Sequence, residues 1–409
     1  MQFRSQSPHH SPPACSPDVD IRGFCLPGFE GVAEAMRANM RAGQEIGASF
    51  AMQVDGRLVV DIWAGHQDPA KTRAWEQDTL VCVRSVTKAV SATCILMLVD
   101  RGVLELEAPV ARYWSGFGRQ GKSAITVAHL LSQTAGIPYL DALPARGGFW
   151  DPDRVCEAIE AQQPQWPAGT VPCYHSFSIG LIYQELMRRV DGRTVGKFLR
   201  EEVSQPFGIE FHIGLKPEED ARRAQWVPDL GAASWASMKG IGDSPMVRAW
   251  QALPLEEDGN SPAYRFNEFP SGNGHSNARA MARLFGILAR GGHAGGRQRL
   301  SEALLARASA ECWDATEYMT RRPFRYGLGC MLSCPPFPFG GHRANFGHVG
   351  TGGAFGFADP VRALSMAYCG NRMAPVADQG PNAARLIEAA YACHASPARS
   401  LAIDSTQPR

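Results

Sequence analysis

The chain has 409 residues, 44% of them apolar and 20% charged, with 41 Lys+Arg against 40 Asp+Glu. That balance excludes a chain too polar to bury a core, and a formal net charge of +1 offers no electrostatic footprint for a nucleic acid or an anionic membrane. Length alone suggests two or three domains at about 150 residues each.

Residues 1–20 are rich in Ser, Pro and His and carry no apolar core that could act as a signal peptide, so they are expected to form a flexible arm. Apolar spacing predicts a helix over Phe29–Met40 that stops near Gly43. Ser49–Val54 and Arg57–Trp63 flank Asp55-Gly56, a dipeptide that accepts the positive φ of a tight hairpin turn. An extended run, Thr79–Arg84, leads into the first of five predicted helices: Val86–Arg101, Thr126–Gln133, Phe177–Val190, Val195–Val203 and Asn277–Arg290. Several stop at glycine, as at Gly102, Gly136 and Gly291-Gly292. Gly208–Asn273 has little periodicity and reads as long loops. A second strand pair, Ala354–Ala358 and Ala363–Cys369, and a helix over Asn382–Cys393 complete the chain.

Strands near both ends with helices between them imply a fold of the α/β class (α+β type), with a mainly antiparallel sheet flanked by helices. Residues 21–84 and 320–409 would build the sheet domain, and 85–319 a helical subdomain with cleft loops. A junction between two such parts is where binding sites tend to form. The longest apolar run, Ala92–Val99, is interrupted by Thr93 and falls far short of the roughly 20 residues a membrane span needs. Eleven cysteines are scattered without metal-ligand spacing, which points to free thiols, no metal and a reducing, cytoplasmic setting.

Three segments could carry chemistry. Only six of the basic residues are lysines, and one of them completes the single Ser-x-x-Lys, Ser85-Val86-Thr87-Lys88. Ser85 stands at a predicted strand-to-helix junction, where helix N–H groups favour developing negative charge. Lys88 follows one turn later on the same face. Burial beside an apolar helix would lower its pKa and free the amine for proton transfer. The ordinary alternative is a capping serine and a solvated lysine. Tyr174, in Pro172-Cys173-Tyr174-His175-Ser176, could place a phenol in the cleft or be a packed loop aromatic. Gly347-His348-Val349-Gly350-Thr351-Gly352-Gly353 lets a backbone pass close to a ligand, or is simply a pliant strand entrance.

Taken in order, Ser85-Val86-Thr87-Lys88, Leu130–Pro138, Pro167-Ala168-Gly169-Thr170 with Tyr174-His175-Ser176, and Gly347-His348-Val349-Gly350 resemble the penicillin-binding and class C β-lactamase superfamily. Within it they resemble the serine carboxylesterases called family VIII. The resemblance spans nearly all of the chain after Asp20. It implies a β-lactamase/transpeptidase-like fold with an all-helical subdomain and Ser85 as nucleophile. Lys88 and Tyr174 would share the acid and base work, the order of proton transfer being left open. The N–H groups of Ser85 and Thr351 would form an oxyanion hole, with His348, Gly350 and Ser176 contacting substrate and no cofactor.

Two departures matter. β-Lactamases and penicillin-binding proteins have Lys-Thr-Gly where this chain has His348-Val349-Gly350, so a fixed cation is missing. The tyrosine motif ends in Ser176 where β-lactamases usually carry Asn. No Gly-x-Ser-x-Gly occurs, against an ordinary α/β-hydrolase elbow. The expectation is a serine carboxylesterase that takes small-molecule esters, short-chain or aromatic, through an acyl-enzyme. An acyltransferase, a weak β-lactamase or amidase, and a binding protein with an idle site stay open, as does homo-oligomerisation. Trp150, Trp166, Trp235, Trp313, Phe337 and Phe339 are candidates for an apolar pocket or for core.

Overall fold

The computed structural model describes residues 19–143, 148–228, 245–251, 259–373 and 380–396; the arm up to residue 18 and Trp235 lie outside them. Nine strands form one antiparallel sheet. In spatial order they are Arg22–Cys25, Arg57–Gly65, Gly47–Val54, Leu364–Gly370, Phe355–Asp359, Phe346–Val349, Met331–Leu332, Pro323–Tyr326 and Trp313–Thr316. The predicted hairpin turns at Asp55 (φ 50°) and Gly56 (φ 79°), both left-handed as such a turn requires. Its first strand pairs with Leu364–Gly370, with Phe50 opposite Tyr368 and Met52 opposite Met366. The sheet is thus assembled from segments at the two ends of the chain.

Helices cover both faces. Glu30–Arg41 and Gly380–Ala395 lie together, joined by a hydrogen bond from Asn39 Nδ2 to the Asn382 carbonyl at 3.0 Å. Ala278–Ala289 packs on the sheet as well, although the sequence division groups it with 85–319. Ser365 Oγ donates to its Ala282 carbonyl at 2.7 Å, and Gly356 leaves room for the Phe285 ring where a β-carbon would collide with it.

The helix Val86–Asp100 is central to the remainder. Twelve of its 15 residues are buried, so it is enclosed all round rather than on one stripe. Ser178–Asp191, Val195–Leu199 and Pro152–Ala161 belong to the helical region around it. This region also carries strands. Val81–Arg84, Gly274–Ser276 and Phe211–Ile213 form a three-stranded antiparallel sheet at the base of the central helix. Runs of three or four residues are too short to leave a period in the sequence, which is why 208–273 reads as loop.

Candidate active site

Ser85 joins the strand Val81–Arg84 to the central helix. The residue before it, Arg84, adopts φ +49°, an uncommon conformation for a side-chain-bearing residue, and this sharp turn starts the helix at Val86. Two interactions hold the turn. Thr87 Oγ1 donates to the Arg84 carbonyl at 2.5 Å and accepts the Gly274 N–H at 2.9 Å. The buried Arg84 guanidinium lies 4.0 Å from the Trp226 ring centroid and donates to Tyr264 Oη at 2.9 Å. Ser85 sits at the helix N-cap, yet its hydroxyl makes no capping bond.

Lys88 Nζ instead lies 3.1 Å from Ser85 Oγ and donates to the Ser271 carbonyl at 2.8 Å. Lys88 is only 2% exposed, and among the described residues no carboxylate pairs with it. Burial without a counter-charge therefore holds its amine well below the usual lysine range. Ser271 is fixed in turn: its hydroxyl donates to the Phe177 carbonyl at 2.8 Å and accepts the Gly180 N–H at 2.7 Å. Position 180 must be glycine for this approach, because a β-carbon there would overlap the Ser271 amide.

Tyr174 completes a cluster of three. The Lys88 amine is 4.9 Å from its ring centroid, and the phenol neighbours Ser85. Burial pushes the phenol above its ordinary value, more than the Ser85 contact pulls it down. The loop that carries Tyr174 is clamped from two sides. The Cys173 amide donates to the Gln133 carbonyl at 3.1 Å, and the His175 amide to Gln133 Oε1 at 2.8 Å. From the other side Glu317, fully buried, accepts the Tyr174 N–H at 2.9 Å, the Met319 N–H at 2.8 Å, and both the amide and hydroxyl of Thr320. Sequence reading missed Glu317 and Ser271, since nothing in their neighbourhoods marks them.

His348 lies on the strand Phe346–Val349 beside these groups, its ring 6.0 Å from that of Tyr174. Nδ1 donates to the Val349 carbonyl at 2.7 Å, which leaves Nε2 as the bare nitrogen of a neutral ring, buried and without a hydrogen-bond partner among the described residues. Burial foremost, then the neighbouring Lys88, pushes the imidazole down to about 3, so it carries no charge at neutral pH. Gly350 presses the strand end against the segment leading to the nucleophile, and a β-carbon there would overlap the Val83 carbonyl oxygen. Thr351 follows immediately, partly buried at the same junction. The Ser176 hydroxyl, two residues after Tyr174, faces Met246 Sδ at 3.9 Å. His175, between Tyr174 and Ser176, is structural: Nε2 accepts the Ile137 N–H at 3.0 Å while Nδ1 bonds the Cys173 carbonyl at 2.6 Å.

The aromatic candidates divide. Phe337 and Phe339 are core, packed against Phe324 and Phe357, because their segment runs beneath the sheet. Trp313 is spent in stacking on Tyr326 and in donating to the Ser132 carbonyl at 2.7 Å. Trp150 packs edge-on against Phe149 and Tyr264, and Trp166 against Tyr318. Among the described residues no group of three His, Cys, Asp or Glu side chains is placed to hold a metal ion.

Residues 32–391 match the family model described as Beta-lactamase. The esterase/beta-lactamase LipL of Mycobacterium tuberculosis is 30% identical over 384 residues, covering 91% of this chain and 87% of that protein. Among solved structures, a penicillin-binding protein homologue from Caulobacter crescentus superposes with a TM-score of 0.83 at 36% identity, over 91% of this chain and all of that one. A family VIII carboxylesterase gives 0.81 at 34% identity with the same coverage.

Proposed function

The chain belongs to the Beta-lactamase family, and from that premise we propose that it is a serine hydrolase of small neutral carboxylic esters, working through an acyl-enzyme on Ser85. The observation that carries the reading is the 3.1 Å contact between Ser85 Oγ and the buried, carboxylate-free amine of Lys88. A neutral amine keeps an N–H for the Ser271 carbonyl and turns its lone pair toward the serine proton.

The opposite shifts of the two groups divide the roles. Lys88, held low, takes the Ser85 proton as Oγ attacks the ester carbonyl carbon. Tyr174, held high, keeps its own proton and can deliver it to the departing alkoxide, being resupplied by the proton that Lys88 took from Ser85. Water then enters the acyl-enzyme, loses a proton to the same pair, and releases the acid and the serine. The Ser85 and Thr351 amides are the donors for the tetrahedral oxyanion, each worth about 3 to 4 kcal/mol of barrier.

Two features favour an ester over an anionic lactam. His348 is neutral where a fixed cation would hold the carboxylate of the drug, and its free Nε2 accepts a hydrogen bond rather than donating one. Ser176 offers a hydroxyl in place of an amide. The name of the family VIII carboxylesterase supports the same direction, while that of LipL, esterase/beta-lactamase, supports ester turnover without ranking the two. Free thiols at all ten described cysteines fit a reducing compartment, and we place the enzyme in the cytoplasm on that ground.

The test is a p-nitrophenyl ester series beside a chromogenic cephalosporin, with Ser85→Ala as control. The expected result is ester turnover that exceeds cephalosporin turnover and falls at least about a thousandfold in Ser85→Ala. Equal ester turnover by the variant overturns the nucleophile. A cephalosporin that outruns every ester makes lactam hydrolysis the primary activity.

A further inference from the structure

The back of the central helix borders a cavity that plays no part in the chemistry above. At about 100° per residue, Val90, Thr93, Cys94 and Met97 form one stripe roughly opposite Lys88. That stripe lines a cavity with a free volume of about 430 Å³, its open mouth included. The remaining wall comes from apolar side chains of residues 199–207 and 284–300. Its polar atoms are few and mostly spent: Thr93 Oγ1 donates back to the Ala89 carbonyl at 2.8 Å, and burial holds the Cys94 thiol protonated.

One lining residue is charged. Arg299 lies with its guanidinium 4.7 Å from the Phe207 ring centroid, and among the described residues its buried Nε has no hydrogen-bond partner. Among the described residues no carboxylate pairs with it. Removing a guanidinium N–H from water without an acceptor is unfavourable, and a carboxylate is the acceptor whose geometry matches the guanidinium fork. An apolar slot closed by one underused cation is complementary to a single kind of small molecule.

We propose that this cavity binds a monocarboxylate with an unbranched alkyl tail, its head on Arg299 and its chain along Val90, Thr93, Cys94 and Met97. The site is separate from Ser85 and does not rest on the ester reading. Water is a poor occupant of so apolar a space, so the tail displaces little that was well held. Because the tail lies on the helix that carries Lys88, such a ligand would stiffen the element on which the catalytic lysine stands.

Isothermal titration with butanoate, hexanoate and octanoate tests this, with octan-1-ol as the uncharged control. The expected result is saturable one-to-one binding that tightens by about fourfold per methylene, with octanoate at least tenfold tighter than the alcohol. Arg299→Gln should weaken octanoate at least tenfold, leave octan-1-ol unchanged and leave ester turnover unaltered. The site is overturned if octanoate fails to bind, if the alcohol binds as tightly in the wild type, or if folded Arg299→Gln binds octanoate like the parent. Repeating the octanoate titration on the parent protein with Ser85 blocked by a phosphonate ester decides the matter even if the variant does not fold: binding in this cavity persists, and its loss assigns octanoate to the Ser85 site as a product acid and overturns the proposal.

Discussion

A lysine helps a serine only while its amine is neutral, and a tyrosine helps a leaving alkoxide only while it holds a proton. Burial supplies both conditions here because it acts with opposite sign on a cationic acid and a neutral one, lowering Lys88 and raising Tyr174. Position is then the remaining requirement, and it falls on residues that touch no substrate. Glu317 holds the Tyr174 amide and, through three further donors, the turn after Thr316. Glu317→Gln replaces an acceptor oxygen by an NH2 that faces N–H groups, so the Tyr174 loop should shift while the core survives. The expected outcome is a kcat lowered by between about tenfold and a hundredfold, with KM within about twofold and the acid limb of the pH profile, set by Lys88, unmoved. An unchanged kcat with only a lower melting temperature would reduce Glu317 to a structural role.

At the scale of elements, the site is a meeting of chain ends that arrive from far apart in sequence: Arg84-Ser85 from a short strand, Tyr174 from a loop, and His348–Thr351 from a sheet strand. Gly350 sets how closely the last of these approaches the first, since a β-carbon would collide with the Val83 carbonyl. Gly350→Ala should push Thr351 away from Ser85 and lower kcat/KM by at least about a hundredfold, the cost of one misplaced oxyanion donor. A folded Gly350→Ala protein, checked by thermal melting, with near-parental turnover would remove Thr351 from the oxyanion hole. The same contrast explains what the sequence could and could not disclose. Long periodic helices were legible to within a residue or two, as with 86–101 against the observed Val86–Asp100 and 277–290 against Ala278–Ala289. Met331–Leu332 and Phe346–Val349 were not, because two to four residues carry no period and their pairing is dictated by distant partners. The grouping of Ser85, Lys88 and Tyr174 was legible through the order of their motifs. Ser271 and Glu317 act through a backbone carbonyl and backbone amides, and such contacts leave no residue pattern to read.

For the whole molecule, the decisive contact is the closure of the sheet, where Gly47–Val54 meets Leu364–Gly370 and the helices Glu30–Arg41 and Gly380–Ala395 cover the joint. Glu45 is buried at this joint. Tyr368 donates its hydroxyl to Glu45 Oε1, and Asn382 Nδ2 donates to the same oxygen at 2.7 Å. Desolvation nevertheless outweighs these bonds and the attraction of Arg372, pushing the carboxyl up to about 7 from an ordinary 4.5. The folded chain therefore binds this proton more tightly than the unfolded chain does. Glu45's contribution is fully present below pH 4.5, declines as pH rises from 4.5 to about 7, and is lost above that. Glu45→Gln keeps an acceptor for Tyr368 and has no proton to lose, so its stability should escape this decline. The free-energy difference between variant and parent, from urea unfolding, should shift in the variant's favour by about 2 to 3 kcal/mol between pH 5 and pH 8. Subtracting one protein from the other cancels the titrations they share. Parallel stability curves would mean that the carboxyl ionises without cost, and that the joint between the two ends of the chain admits water.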